Sequence, residues 1–389
     1  MRKLIFLVPF LLQASILSDL KLKELNLDKE KSLKDAIETK RNWINPINLQ
    51  YSYTKDNIQG IQTTTQLYSI SINQPIFKSG AIYYSIKYAN VLKKYNLDQI
   101  ELQKRNLIKQ AYDFVYDYKV LKLQKEILIK NIENAKIDVL RKKEAFLNGI
   151  GNSSELDNAI IKLNSLKLNL EDINYQLSQI KNSFSTISSL NIEEVTLPKL
   201  KLIKQNEYLN NNIELKAQQK LKNIKSYLYK MQRGNQLLTI SLNGSLNHKK
   251  FENKLLSDTQ NYYTIGLSAT LPISINAKTK IEKTKIDYLK SVLLIEDKKR
   301  QLRSEYNIAL SQIKSLKNKI NIYKENLSLY NNLIDSTLDS IKAGNATTLD
   351  LKVLNNSKMV DLINIKILKL KIQKTLFSLY YKLISYTNN

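Results

Sequence analysis

The sequence has no cysteine and a single histidine, His248. That removes thiol nucleophiles, disulfides, iron–sulfur clusters and Cys-ligated zinc. It also leaves no His-dependent triad and no multi-His metal site. Glycine numbers 8 and proline 5 in 389 residues, where ordinary usage would give roughly 27 glycines. A chain so poor in backbone breakers is built of long regular elements. Neither G-x-G-x-x-G nor G-x-x-x-x-G-K-[ST] occurs, so no phosphate-cradling loop of those kinds is written. Beyond the N-terminus there is no run of 18 apolar residues, and hence no expected membrane-spanning helix. The reading is of a protein that is not an enzyme, with no cofactor and no metal.

What is abundant is lysine. Lys and Arg total 61 against 35 Asp and Glu, a net charge of +26. The basic residues are spread along the whole chain among Asn, Ile and Leu, with no block of five or six like charges. This describes a solvated surface better than one patch for nucleic acid, so no nucleic-acid partner is expected.

Met1-Arg2-Lys3 followed by apolar Leu4–Leu12 and then the small residues Ala14, Ser15 and Ser18 reads as a signal peptide over about residues 1–17. No cysteine follows to carry a lipid. The expected destinations are the periplasm, the exterior or the outer membrane.

Four stretches alternate with period two, at about 47–55, 66–75, 237–247 and 262–271. Leu49, Tyr51 and Tyr53 alternate with Gln50, Ser52 and Thr54; Ile265 and Leu267 alternate with Thr264, Gly266 and Ser268. Each is near the length of a tilted transmembrane strand. The second face is small and uncharged, as a wet barrel lumen requires, although a half-buried soluble sheet alternates in the same way. Trp43, Tyr51, Tyr53, Tyr262 and Tyr263 are candidates for membrane interfaces. His248 falls in an expected loop from Asn247 to Gln260 and reads as solvated.

The remainder is helical, at about 79–147, 154–188, 278–343 and 347–384. Apolar residues step 4, 3, 4, 3 from Leu302 through Tyr306, Ala309, Ile313, Leu316, Ile320, Tyr323, Leu327 and Tyr330 to Ile334. A second ladder runs from Leu156 through Ala159, Leu163, Leu166, Leu170, Ile173, Leu177 and Ile180 to Phe184. Sustained heptads imply knobs-into-holes packing, and a span of 65 residues is roughly 100 Å of helix. Tyr306, Tyr323 and Tyr330 are read as core.

The chain is written twice: strand, strand, long helix, turn, long helix, over 32–197 and 206–386. Gly344-Asn345-Ala346-Thr347-Thr348-Leu349-Asp350 lies 193 residues after Gly151-Asn152-Ser153-Ser154-Glu155-Leu156-Asp157. Pro272 lies 197 residues after Pro75. In each turn the glycine can close one helix in the left-handed conformation. Ser154 or Thr347 then caps the next, with Asp157 or Asp350 completing a capping box. Pro75 and Pro272 are placed where a strand ends and a helix begins.

With Gln74-Pro75-Ile76-Phe77, Lys78-Ser79-Gly80 and the two G-x5-D turns in this order, the sequence resembles the TolC family of outer-membrane efflux proteins over about Ser32 to Tyr386. The resemblance implies a homotrimer whose twelve strands close a β-barrel in outer-membrane lipid, continued by an α-helical coiled-coil barrel through the periplasm. It implies an exit duct of a tripartite efflux pump or type I secretion system. Such a duct is passive, opens by untwisting at the tips, and is coupled through a periplasmic adaptor to an inner-membrane transporter. Gly151, Asn152, Asp157, Gly344, Asn345 and Asp350 become candidates for adaptor contact or a gate. Pro75, Phe77, Gly80 and Pro272 mark the strand-to-helix junctions. Three departures stand out: the first copy is compressed before its first strand, where only Ser32–Trp43 reads as helix; Asn276-Ala277 replaces a glycine at the second junction; and Ala346 and Val353 stand where an Arg and a second Asp occur in the family. The alternative from the residues alone is a Lys-rich periplasmic coiled-coil protein that binds anionic polymers or acts as a rod.

Overall fold

The computed structural model describes residues 16–58, 60–253 and 256–384. The expected signal segment lies outside them except for its end, where Ile16 and Leu17 are buried and the Ser18 amide donates to the Ile187 carbonyl at 2.8 Å. In chain order the elements are α1 (Asp19–Arg41), β1 (Asn48–Ile58), β2 (Ile61–Phe77), α2 (Ala81–Leu147), α3 (Ser153–Ser185), α4 (Gln205–Asn210), α5 (Ile213–Asn235), β3 (Thr239–Asn253), β4 (Ser257–Thr270), α6 (Ala277–Lys342) and α7 (Thr348–Tyr380). The architecture is mainly helical with one small sheet. None of the described helices is long and apolar enough to cross a membrane.

The duplication is more complete than the sequence indicates. α1 has 23 residues, as does α5, and starts 194 residues before it. The first copy is therefore not compressed. Its leading helix escapes a periodicity search because along α1 only Leu25, Ser32 and Ala36 are buried, too sparse a face to stand out among lysines and leucines. α2 and α6 have 67 and 66 residues, and α3 and α7 have 33 each. Each copy thus runs helix, strand, strand, long helix, shorter helix.

The chain divides into two compact units. One holds Asn26–Ile100 and Glu214–Lys299, and contains the four-stranded antiparallel sheet in the order β1-β2-β3-β4. Its register aligns the alternating residues in rows. Leu49, Ile70, Leu246 and Tyr263 stand side by side, as do Tyr51, Tyr68, His248 and Asn261, then Ile72, Gly244 and Ile265. All of these share one face. The other face carries Asn48, Ser71, Ser245 and Thr264 in one row and Gln50, Ser69, Asn247 and Tyr262 in the next. The strands run further than the alternation alone marks. His248 therefore sits within β3 rather than in a loop, with Nδ1 2.6 Å from Asn261 Oδ1. Tyr262 falls on the polar face, so of the expected interface tyrosines it is the exception.

The other unit, from the N-terminal side to Leu25 with Glu101–Ile213 and the chain from Arg300 on, is helical. The ladder on α6 is its seam: Leu302, Tyr306, Ala309, Ile313, Leu316 and Ile320 are buried, the last two against Ile365 and Leu368 of α7. α7 also packs on α2. Phe377 lies 4.8 Å from the Tyr112 ring, Lys374 bonds Asp117 at 2.6 Å, and Asn356 Nδ2 donates to Asn134 Oδ1 at 2.8 Å. A paired polar layer inside a coiled coil fixes register, since a one-residue slip would leave both amides unpaired. The segment between α3 and α5 is held by side chains that read its backbone. Gln373 bonds both the N–H and the carbonyl of Leu200, Tyr380 donates to Lys201 O at 2.8 Å, and Tyr306 donates to Ile203 O at 2.7 Å.

Candidate functional site: strand-to-helix junctions and hairpin tips

The first junction is a hydrogen-bonded corner. Pro75 does not end β2. The strand continues to Phe77, with a register irregularity between Pro75 and Phe77, the kind of position where a strand tolerates proline. Gln74 holds the corner. Its Oε1 accepts from the Asn45 amide at 2.8 Å, and its Nε2 donates to the carbonyls of Trp43 and Pro75 at 3.1 and 2.9 Å. Ser79 and Gly80 take consecutive positive φ values of 43° and 85°, turning the chain from strand into α2. Ser79 Oγ donates to Leu238 O at 2.7 Å. Gly234 of α5 closes against this turn: a Cβ there would meet Ala81 N and Ser79 O at 2.8 Å. Gly234 lies outside the motif, and Gln74, though within it, was not among the residues marked for the junction. A glycine near the end of an otherwise unbroken helix is the signal that could have found the first.

The second junction is built differently. β4 stops at Thr270, and Leu271–Asn276 precede α6 without a positive φ. Pro272 therefore stands where a strand has ended, as expected. Ile273 and Ile275 are 96% and 101% exposed in the isolated chain.

The tips lie in the helical unit, and here the sequence alignment of the two copies shifts by two residues. The glycine that turns left-handed is Gly149 (φ 71°), matching Gly344 (φ 80°) 195 residues later. Gly151 does another job. Its Cβ would meet Ala145 Cβ at 3.1 Å and Phe146 N at 3.2 Å, so it lets the turn fold back on α2. The N-cap of α3 is Asn152, not Ser154, and its side chain accepts from the Glu155 amide at 2.9 Å. Asp157 is therefore no capping residue, and it stands exposed on α3. At the second tip Thr347 caps α7, and the Thr347 amide donates in return to Asp350 Oδ2 at 2.9 Å. That capping box is as expected. Asn345 is exposed, its amide bonded to Ser340 O at 2.8 Å.

The corrected alignment pairs Glu155 with Asp350. Two adjacent cations near the end of α2 reach them: Arg141 Nη2 lies 2.5 Å from Asp350 Oδ1, and Lys142 Nζ lies 2.5 Å from Glu155 Oε2. The hydroxyl and amide of Thr347, and after them Arg141, hold the Asp350 carboxyl below the usual aspartate range. Glu155 in turn raises Lys142. Leu147 and Ile150 at the first tip are 70% and 85% exposed. Sequence reasoning passed over Arg141, Lys142, Gly149 and Glu155; the Asn-x-x-Glu spacing from 152 to 155 was the available clue.

Comparison with known proteins meets this geometry. The family model described as outer membrane efflux protein matches residues 205–356, from α4 into α7. That match spans most of the second copy of the repeated plan. The fold is similar to that of the outer membrane protein VceC from Vibrio cholerae, with a TM-score of 0.76 at 13% identity over 95% of this chain and 93% of that one. It is also similar to the Campylobacter jejuni CmeC outer membrane channel, with a TM-score of 0.75 at 14% identity over 96% and 85% of the two chains. The open state of the Neisseria gonorrhoeae MtrE outer membrane channel gives 0.66 at 13% identity over 92% and 85%. At such identities the likeness concerns the fold, and it extends over the first copy, which the family model does not reach. Curated protein sequences give no match.

Proposed function

We propose that the protein is the outer-membrane exit duct of an efflux pump, a passive conduit working as a homotrimer. The observation that carries this reading is the sheet. Its four strands bring the apolar residues onto one face, where Leu49, Ile265 and Leu267 are each at least 70% exposed in the isolated chain. In the rows through Asn48 and Gln50 the opposite face is hydroxyls and amides. An apolar face of that size needs a nonaqueous partner, and lipid outside with water inside is the arrangement that suits both faces. β1 and β4 are also open edges, and edges in lipid must be paired. Three copies joined edge to edge make twelve strands and leave none unpaired. A Lys-rich rod binding anionic polymers needs neither the aligned faces nor the paired copies.

The conduit does no chemistry. An inner-membrane transporter supplies the energy through a periplasmic adaptor, and the hairpin tips are the adaptor's docking end. There Gly149, Ile150 and Asn345 offer exposed turn surface, and Arg141–Asp350 and Lys142–Glu155 tie the last turns of α2 to α7 and α3. Opening separates those ties. Cell envelopes washed with high salt and carbonate, then fractionated on a density gradient and run unheated on a gel, test the reading. A wash-resistant outer-membrane band at trimer mass that forms conducting pores in planar bilayers is expected. A soluble or salt-eluted monomer overturns it.

A further inference from the structure

We propose that the protein carries a binding site for anionic phospholipid headgroups, in a basic collar where the strands hand over to the helices. The site rests on the reading of the sheet as membrane-embedded. All of it lies within the unit that holds the sheet. Four stretches flank the strand ends on the helical side: 39–44, 78–87, 229–237 and 272–283. They contain nine Lys and Arg and one acidic residue, Glu282. The chain as a whole has 61 basic residues to 35 acidic, so the collar is far more one-sided than a general lysine habit provides. At the opposite rim of the sheet Lys55, Lys249 and Lys250 are interleaved with Asp56, Glu252 and Asp258.

Between the end of α1, the start of α2 and the end of α5 lies a cavity of about 280 Å³, lined among others by Trp43, Lys78, Tyr88, Met231 and Asn235. That is near the lower end of small-ligand pockets, roughly 300 Å³. Lys78 is half-buried in its wall and has no ion-pair partner among the described residues. A half-buried ammonium without a counter-charge is costly, and a phosphate entering the cavity would supply one. Beside it Tyr83 and Tyr84 meet edge to face at 5.3 Å, and Tyr84 stacks on Tyr227 at 6.3 Å. Lys87 and Lys230 sit 5.4 and 5.3 Å from the Tyr83 and Tyr84 ring centres. Tyrosine and tryptophan with an apolar body and polar edge favour headgroup depth, and lysine above them can reach the phosphates. The collar adjoins the strand ends at the helical side of the sheet. The occupant is accordingly the headgroup layer of the leaflet on the helical side, and the charge selects its anionic members.

Trp43 is the chain's single tryptophan and lines the cavity, so its fluorescence reports occupancy. Full-length protein is incorporated into phosphatidylcholine vesicles containing brominated phosphatidylglycerol or, separately, brominated phosphatidylcholine. Failure to enter neutral vesicles would overturn the membrane reading itself. Given insertion, the phosphatidylglycerol probe is expected to quench Trp43 preferentially. Lys78→Gln and Arg233→Gln should each weaken that preference several-fold, about fivefold for one charge near a membrane surface. Lys78→Arg should keep it, and so should the rim pair Lys249→Gln/Lys250→Gln. Equal quenching by both lipids, or a preference abolished only by the rim pair, overturns the proposal. So does full competition by dissolved glycerol phosphate, which would make the cavity a free-phosphate site.

Discussion

At the end of β2, three hydrogen bonds from Gln74, one from Ser79 and the close approach of Gly234 fix the turn into α2. At the end of β4, the equivalent stretch leaves Ile273 and Ile275 open to solvent. The two junctions occupy the same place in the repeated plan and solve it by different means. β2 is an inner strand, flanked by β1 and β3, so its corner packs within one chain. β4 is an edge, and in the homotrimer we propose the apolar residues after it would meet a neighbouring copy. Duplication supplied the plan, and position in the sheet decided which copy could be finished internally.

That contrast can be broken from either side. The largest effect is expected at the open junction. Ile273→Asp with Ile275→Asp should abolish the trimer band on an unheated gel while the helical circular dichroism persists, since each isoleucine buried between copies is worth roughly 1.5–3 kcal/mol. At the closed junction Gly234→Ala forces a methyl into backbone atoms at 2.8 Å. It should cost about 1–3 kcal/mol in denaturant unfolding. Gly266→Ala has no atom within 4 Å of the added carbon and should stay within about 0.5 kcal/mol of the parent protein.

The tips sharpen the same lesson at smaller scale. Thr347→Ala removes the hydroxyl that accepts from the Asp350 amide and donates to its carboxylate, whereas Asn152→Ala removes one bond. Each should cost about 1 kcal/mol, with the Thr347 variant the worse in thermal melts. The smallest effect is a pH dependence. The Asp350 pKa is lowered in the folded chain, first by Thr347 and then by Arg141. Its stabilisation is thus complete above the ordinary aspartate value of about 4 and is lost as the pH falls through the lowered native value. Asp350→Asn should flatten that part of the melting profile between about pH 5 and 3. If the two profiles superimpose, Asp350 carries no charge-dependent role at the tip.

Much of the fold was legible because hydrophobic period is a direct imprint of burial. The α6 ladder from Leu302 to Ile320 was readable because every fourth or third residue is buried, Leu316 and Ile320 against α7. The strands were readable because apolar and polar residues alternate along them, so that the sheet register gathers Leu49, Ile70, Leu246 and Tyr263 on one face and Asn48, Ser71, Ser245 and Thr264 on the other. α1 was not legible, since its buried face is three residues wide. The first tip was misaligned by two residues because Gly149 and Gly151 are both glycines within one turn. Only backbone geometry separates the one that must turn left-handed from the one that must let a neighbour approach.

The sequence by itself determined the element types, the duplication and the absence of cysteine or multi-histidine chemistry, all of which follow from composition and local period. The tertiary structure alone decided partnership. It joined Arg141 to Asp350 across 209 residues and Ser79 to Leu238 across 159, and it gathered Trp43, Lys78 and Met231 around one cavity. Local period specifies which face of an element is buried, but not which distant face it meets. That is settled when long helices and a shared sheet bring remote stretches of chain into the same few ångströms.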